Sequence, residues 1–314
     1  MRNNQVMKSL LVAAVLVSGA AYADGLLLSP AELPEASRAE LAALIARAKK
    51  SSPESFEKVK HFVGAVPDWD ARKRGRLAPA SVVFRRIGDD ALWPMVELIA
   101  FDAGPKSAWS EWSETARRAL EIGLIEAAGA KRDVRLAPVW SAILDGPEQR
   151  FEILRASVEA LAKLDTDAAA QKLIALARSD VAVKREAALA AMGNCRRLTV
   201  ARALAEALDA HPEALMAKRI IRSLGDVGNA WAWQTPAVKA RSEEGAIRTL
   251  AAEALLRAYL AYDGEARQAA SNALLVVDAP QMPALIDRAK KGSPDEQRAA
   301  LAGLERRWEQ HPLR

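Results

Sequence analysis

The sequence predicts an all-α protein, an α-solenoid in which helical hairpins stack in a row. Three observations carry this reading. Apolar residues recur at helical spacing along most of the chain. A helix–turn–helix stretch returns with different letters at a period of roughly 30 to 45 residues, the mark of a repeat array. Alternating Val, Thr and Tyr runs that would signal strands are scarce. "IGDDALWPMVELIAFD" (87–102) and "EAAGAKRDVRLAPVWSAILDG" (126–146) illustrate the unit. One hairpin of this size cannot bury its apolar face alone, so neighbours must stack.

The N-terminus is read separately. Arg2 and Lys8 precede an apolar run from Leu10 to Val17, and Ala21-Tyr22-Ala23 follows before Asp24. A basic start, a short apolar stretch and a small-x-small end form a secretory signal peptide cut after Ala23. The run is too short to span a bilayer, and an uncleaved anchor is the alternative. Met7 would serve equally well as a start. The chain is therefore expected in the periplasm or outside the cell, with no stable membrane span after cleavage.

From there helices follow in order. Pro34 opens "EASRAELAALIARAKK", with Leu41, Leu44, Ile45 and Ala48 on one face. Ser52-Pro53 reads as a cap and first-turn proline for the next helix. Phe151, Leu154, Val158 and Leu161 form a stripe, "KLDTD" turns, and Ala169, Leu173, Leu176 and Ala177 form the next. "VAVKREAALAAMGNC", "LTVARALAEALDA", "AKRIIRSLGDVGNA" and "RQAASNALLVVDAPQMPALIDRAKKG" continue the series. The stretch from Ile247 to Tyr259 is apolar on two sides and is expected between two neighbours. Pro147 and Pro212 read as helix starts, and Ser293-Pro294-Asp295-Glu296 as a capping box for a closing helix. The expected division is a leader over 1–23, a helical cap over 24–80, repeats over 81–292 and a final helix over 293–314.

"SDVAVKREAALAAMG" resembles the first helix of a HEAT repeat, of the short bacterial type grouped with phycobilisome-lyase HEAT-like repeats. Lys184 and Arg185 take the basic place, Ala187-Ala188 the small pair and Met192-Gly193 the turn. "RRIGDDALWPMVELI" is similar to that family's turn and second helix. The resemblance covers 81–292, is strongest over 151–209 and weakens at 229–245. It implies a right-handed superhelix of about five or six hairpins whose second helices line a concave binding surface. It implies little about activity, because a fold does not carry a function with it. The lyase role attached to the family's name fits poorly with an exported chain.

The 314 residues include 45 Lys and Arg against 40 Asp and Glu, a formal charge of +5. Losing Arg2 and Lys8 with the leader lowers it to +3. That is too mild for a nucleic-acid binder, and HEAT-like DNA glycosylases are set aside for the same reason. Cys195 is the single cysteine, so no internal disulfide can form. His61, His211 and His311 are scattered, and no metal or cofactor motif is present. Asp89-Asp90 and Glu243-Glu244 read as turn and helix-start residues. No catalytic residues are assigned.

Eight tryptophans stand beside five Phe and three Tyr. Trp109 and Trp112 are expected to share an inward helix face, and Trp93 and Trp140 to fill matching core places beside prolines. Trp231 and Trp233, in a loop between Gly228 and Pro236, are candidate interface anchors. Arg72, Lys73, Arg74 and Arg76 form the densest basic run. The doublets Lys184-Arg185, Arg196-Arg197 and Lys218-Arg219 either complement helix ends or line one surface. The function expected is a non-enzymatic scaffold that binds an envelope protein. Binding of an anionic lipid headgroup or polysaccharide is the alternative, and an unrecognised hydrolase or lyase comes third.

Overall fold

The computed structural model describes residues 24–235, 238 and 243–311, so Ala23 and the apolar run before it lie outside the described residues. Within them the protein is all-helical, with no strand. α1 (Glu35–Ser51), α2 (Pro53–Gly64) and α3 (Val66–Ala71) come first. Then follow α4 (Ala80–Arg86), α5 (Leu92–Ala100), α6 (Glu114–Ala130), α7 (Ala137–Asp145), α8 (Phe151–Leu164) and α9 (Asp167–Ala177). Next are α10 (Ala182–Ala191), α11 (Leu198–Asp209), α12 (Ala214–Val227), α13 (Glu244–Ala261), α14 (Gly264–Val277) and α15 (Met282–Lys291). α16 (Asp295–Glu309) is the last.

Helices that are next but one in sequence are neighbours in space. α4 packs on α6, α6 on α8, α8 on α10, α10 on α12 and α12 on α14. A second series runs from α9 through α11 and α13 to α15. α13 touches α11, α12 and α14, which is why its sequence is apolar on more than one side. Close approach in the first series depends on small residues. A Cβ on Gly129 of α6 would lie 2.6 Å from the Cβ of Ala160 of α8. The apolar stripes are buried as their spacing predicts, with Leu154, Val158, Leu173, Leu204 and Leu255 fully enclosed.

Residues 24–28 cross the end of α5 and satisfy carbonyls that a helix terminus leaves unpaired. Leu26 N–H donates to Leu98 O at 2.8 Å, and the Leu27 and Leu28 N–H groups donate to Ile99 O at 3.1 and 3.2 Å. Ala103 N–H donates back to Asp24 O at 3.1 Å. Leu28 is buried beneath this crossing.

Helix ends differ most from expectation. Ser293 does not form a capping box; its Oγ donates to Ala289 O at 2.8 Å and finishes the preceding helix instead. Pro294 occupies the cap position of α16 with no side-chain bond. Ser52 likewise makes no capping bond to α2. A capping box does form at Ser29 and Glu32, where Ser29 N–H donates to the Glu32 carboxylate at 2.6 Å. Pro147 and Pro212 lie in the loops before α8 and α12, which are headed by Arg150 and Glu213. Arg132, Asp165, His211 and Asp278 take left-handed backbone conformations just beyond helices, where glycine is the usual signal.

Candidate functional site

α2, α5 and the segment between α5 and α6 enclose a cleft of about 690 Å³. The spacing of α2 builds its floor, because Phe56, Val59 and Val63 fall on one face, three and four residues apart. Pro94 and Leu98 of α5 supply a second wall. The third is the segment 102–112, which leaves α5, makes a 3₁₀ turn over Lys106–Trp109 and reaches Ser113. Ser113 caps α6, its Oγ accepting from Ala116 N–H at 3.0 Å. Two indoles are thereby fixed against the cleft. Trp109 and Trp112 meet edge to face, with ring centroids 5.0 Å apart and planes at 74°.

Both tryptophans are half-buried rather than enclosed, and they lie in a turn and loop rather than on a helix. The Trp109 indole Nε1–H is itself buried and has no acceptor among the described residues. Charge surrounds the apolar surface. Lys49 pairs with Glu97 at 2.5 Å and its ammonium lies 5.6 Å from the centre of the Phe56 ring. Asp102 accepts from Gly104 N–H at 2.8 Å, while Glu57 and Lys60 are exposed.

The residues singled out from sequence separate into different roles. Trp231 is 63% exposed, beside a hollow of about 440 Å³ shared with Gln234, Arg248 and Leu275. Trp233 is fully buried, and its Nε1–H donates to Val227 O at 3.3 Å. It is a core residue, which corrects its place among the interface anchors. The two point apart because residues two positions apart face different sides of a turn. Arg72, Arg74 and Arg76 are exposed in the loop between α3 and α4. Lys73 is not available with them. It pairs with buried Asp70 at 2.8 Å and also reaches Thr115 Oγ1 at 3.4 Å.

Asp70 ties α3 to the start of α6. Its Oδ2 accepts from Ser113 Oγ at 3.0 Å and Thr115 Oγ1 at 2.7 Å. Burial is the largest single effect on this carboxyl and raises its pKa, but bonds from Lys73, Thr115 and Ser113 together hold it below the usual value. A lowered carboxyl stabilises the fold above its unfolded pKa, near pH 4, and that contribution is lost as the pH falls through the folded pKa. Asp70→Asn should lower stability at pH 7 by about 1.5–3 kcal/mol, since hydrogen bonds to charged groups are worth that much. Denaturant titrations at pH 7 and pH 3 test this. The difference from the parent should shrink at the lower pH.

The basic doublets are largely taken up inside the fold. Lys184 Nζ donates to Gly146 O at 2.8 Å, Arg185 to Ser179 O at 2.6 Å and Arg197 to Asp165 O at 2.9 Å. Arg219 pairs with Glu186 at 2.8 Å and stacks 4.5 Å from the Phe151 ring centre, and Lys218 pairs with Glu265. Of the two readings offered for these residues, complementing helix ends is the one these contacts describe, since Gly146 and Asp165 are the residues that close α7 and α8. Trp93 and Trp140 are not equivalent. Trp140 is fully buried, whereas Trp93 is half-exposed under the Arg135 guanidinium, 4.8 Å from its ring centre.

Paired carboxylates are dispersed in the same way. Asp89 accepts from Lys131 at 2.6 Å, Glu243 from Leu198 N–H at 3.3 Å, and Glu244 pairs with Arg248 at 2.8 Å. Glu121 is pushed up by burial and held by Arg150 at 2.7 Å, joining α6 to the start of α8. No group of three or more His, Cys, Asp and Glu is placed to hold a metal ion among the described residues. No described helix is long and apolar enough to cross a membrane. No family model matches the chain. No curated protein matches its sequence.

Proposed function

We propose that the protein is an exported, non-enzymatic scaffold of HEAT-like repeats that binds another protein of the cell envelope. The Trp109–Trp112 cleft supports this reading most. Tryptophans packed edge to face at the surface of an apolar hollow, with charged residues around it, are what the central part of a protein interface requires. Packing of every second helix on the next supports a stacked solenoid with an elongated surface suited to an adaptor, and its right hand is what the HEAT resemblance implies. Trp231 and the exposed Arg72, Arg74 and Arg76 would be secondary contacts.

The test is affinity purification of the C-terminally tagged full-length chain from the envelope of its own cell. Mass measurement of the product also reports whether the chain is cut after Ala23. One stoichiometric protein should be retained, and lost with Trp112→Ala. Loss only on reversing the charge of Arg72, Arg74 and Arg76, with lipid or glycan released by moderate salt, would favour the anionic-ligand alternative. Retention of no species by a folded protein would contradict the scaffold reading.

A further inference from the structure

The chain enters the fold at the rim of the Trp109–Trp112 cleft. Ala103 N–H donates to Asp24 O at 3.1 Å, and Leu26 N–H donates to Leu98 O at 2.8 Å. Leu98, Asp102, Ala103 and Gly104 all line the cleft. Gly25 holds this entry close, because a Cβ there would lie 2.5 Å from both Ala100 N and Ile99 O, backbone atoms at the end of α5. Whatever precedes Asp24 is therefore delivered beside the apolar walls.

What precedes it includes the longest uninterrupted apolar run in the sequence, Leu10–Val17. Eight residues are too few to cross a bilayer, and left in water they keep apolar surface hydrated at a cost. The cleft presents the matching deficit, since Phe56, Leu98, Trp109 and Trp112 are only half-buried. Six residues, Ser18 to Ala23, separate the run from Asp24. Extended, they reach about 20 Å, which is enough to turn the run back over the hollow. A tether this short holds the run at an effective concentration of roughly millimolar order, so even a weak contact is populated. The side chains of the run carry no polar group, and entering the cleft strands none against Val59, Val63 or Leu98.

We propose that in the uncut chain the apolar run Leu10–Val17 folds back into this cleft and keeps it closed until the leader is removed. With the run in place, Trp109 and Trp112 are covered and present no surface to a partner. A cut after Ala23 releases the run and opens the site. This consequence rests on the protein-binding reading above and supplies the regulation of that same cleft.

The test uses the full chain made without export, in a cell-free system, so that residues 1–23 stay attached. A photoreactive aromatic residue in place of Val15 should crosslink within its own molecule, and mass mapping should place the adducts in 56–63, 94–98 or 102–112. An apolar fluorescent dye reports the cleft separately. Leu11→Asn together with Val15→Asn makes the leader more polar, yet dye fluorescence should rise several-fold as the cleft is uncovered. Adding Trp112→Glu to that variant should remove most of the rise, with circular dichroism showing the fold retained.

Adducts on other helices, between molecules only, or absent from the folded protein would overturn the proposal. So would dye fluorescence that falls when the leader is made polar. Failure of these tests, with an envelope protein still lost on Trp112→Ala, would leave the scaffold reading standing and remove the leader contact alone. A leader held in the cleft of a chain that retains no envelope partner would do the reverse.

Discussion

Gly193→Ala should be among the most damaging single substitutions in the protein. Gly193 lies in the 3₁₀ turn that ends α10, pressed against the middle of α12. A Cβ there would be 1.9 Å from the carbonyl oxygen of Ser223 and 2.7 Å from its carbonyl carbon. Both are backbone atoms inside a helix, so no rotamer change relieves the clash. The Gly193 N–H donates to Ser223 Oγ at 2.9 Å in a fully buried site, so separating the two also strands a polar group. Overpacking and a lost buried bond together should cost more than about 4 kcal/mol, at the extreme of single-residue effects. Because α10 and α12 are consecutive in the packed series, the damage should spread to both neighbours. Gly303→Ala is the matched control. It lies within α16 with only an arginine tip, 4.0 Å away, near a new Cβ, and should stabilise by about 0.5–1 kcal/mol. Urea unfolding of the two variants tests the contrast.

Trp233→Ala should cost about 3–5 kcal/mol, the usual penalty for emptying a buried aromatic site. The side chain is wholly enclosed and its N–H is spent on Val227 O at the end of α12. Trp231→Ala, two residues earlier, should change stability by less than about 0.5 kcal/mol, because its ring is mostly in water. Trp233→Phe should fall between, retaining much of the volume and losing the hydrogen bond. Unfolding midpoints followed by circular dichroism measure all three, independently of the tryptophan signal that the substitutions remove.

The contrast within that pair marks how far the sequence could be read. Period and apolar stripes identify α8 to α14 because each stripe needs only its own helix. Buried Leu154, Leu173 and Leu204 follow directly from spacing. Helix ends were less legible, since a cap depends on which of two adjacent helices claims a hydroxyl, and Ser293 is claimed by the earlier one. Left-handed turns at Arg132 and Asp165 carry no glycine to announce them. The basic doublets could not be assigned because their partners, such as Gly146 O for Lys184, come from a neighbouring unit. The cleft was least legible of all. Phe56 is far in the chain from Leu98 and Trp109, and only the packing of α2 on α5 brings it to them. Its one signal was the unusual tryptophan count, and helical spacing placed Trp109 and Trp112 in the core.

Site-specific photocrosslinking in the living cell tests the central claim most directly. A photoreactive aromatic residue would replace Trp112 in the cleft, with a second placed at Val134, which is 58% exposed and outside it. The expected result is a single discrete adduct with one envelope protein from position 112 and none from position 134. Equal labelling from both positions, or no adduct from position 112 in a correctly folded protein, would contradict a protein-binding role for the cleft.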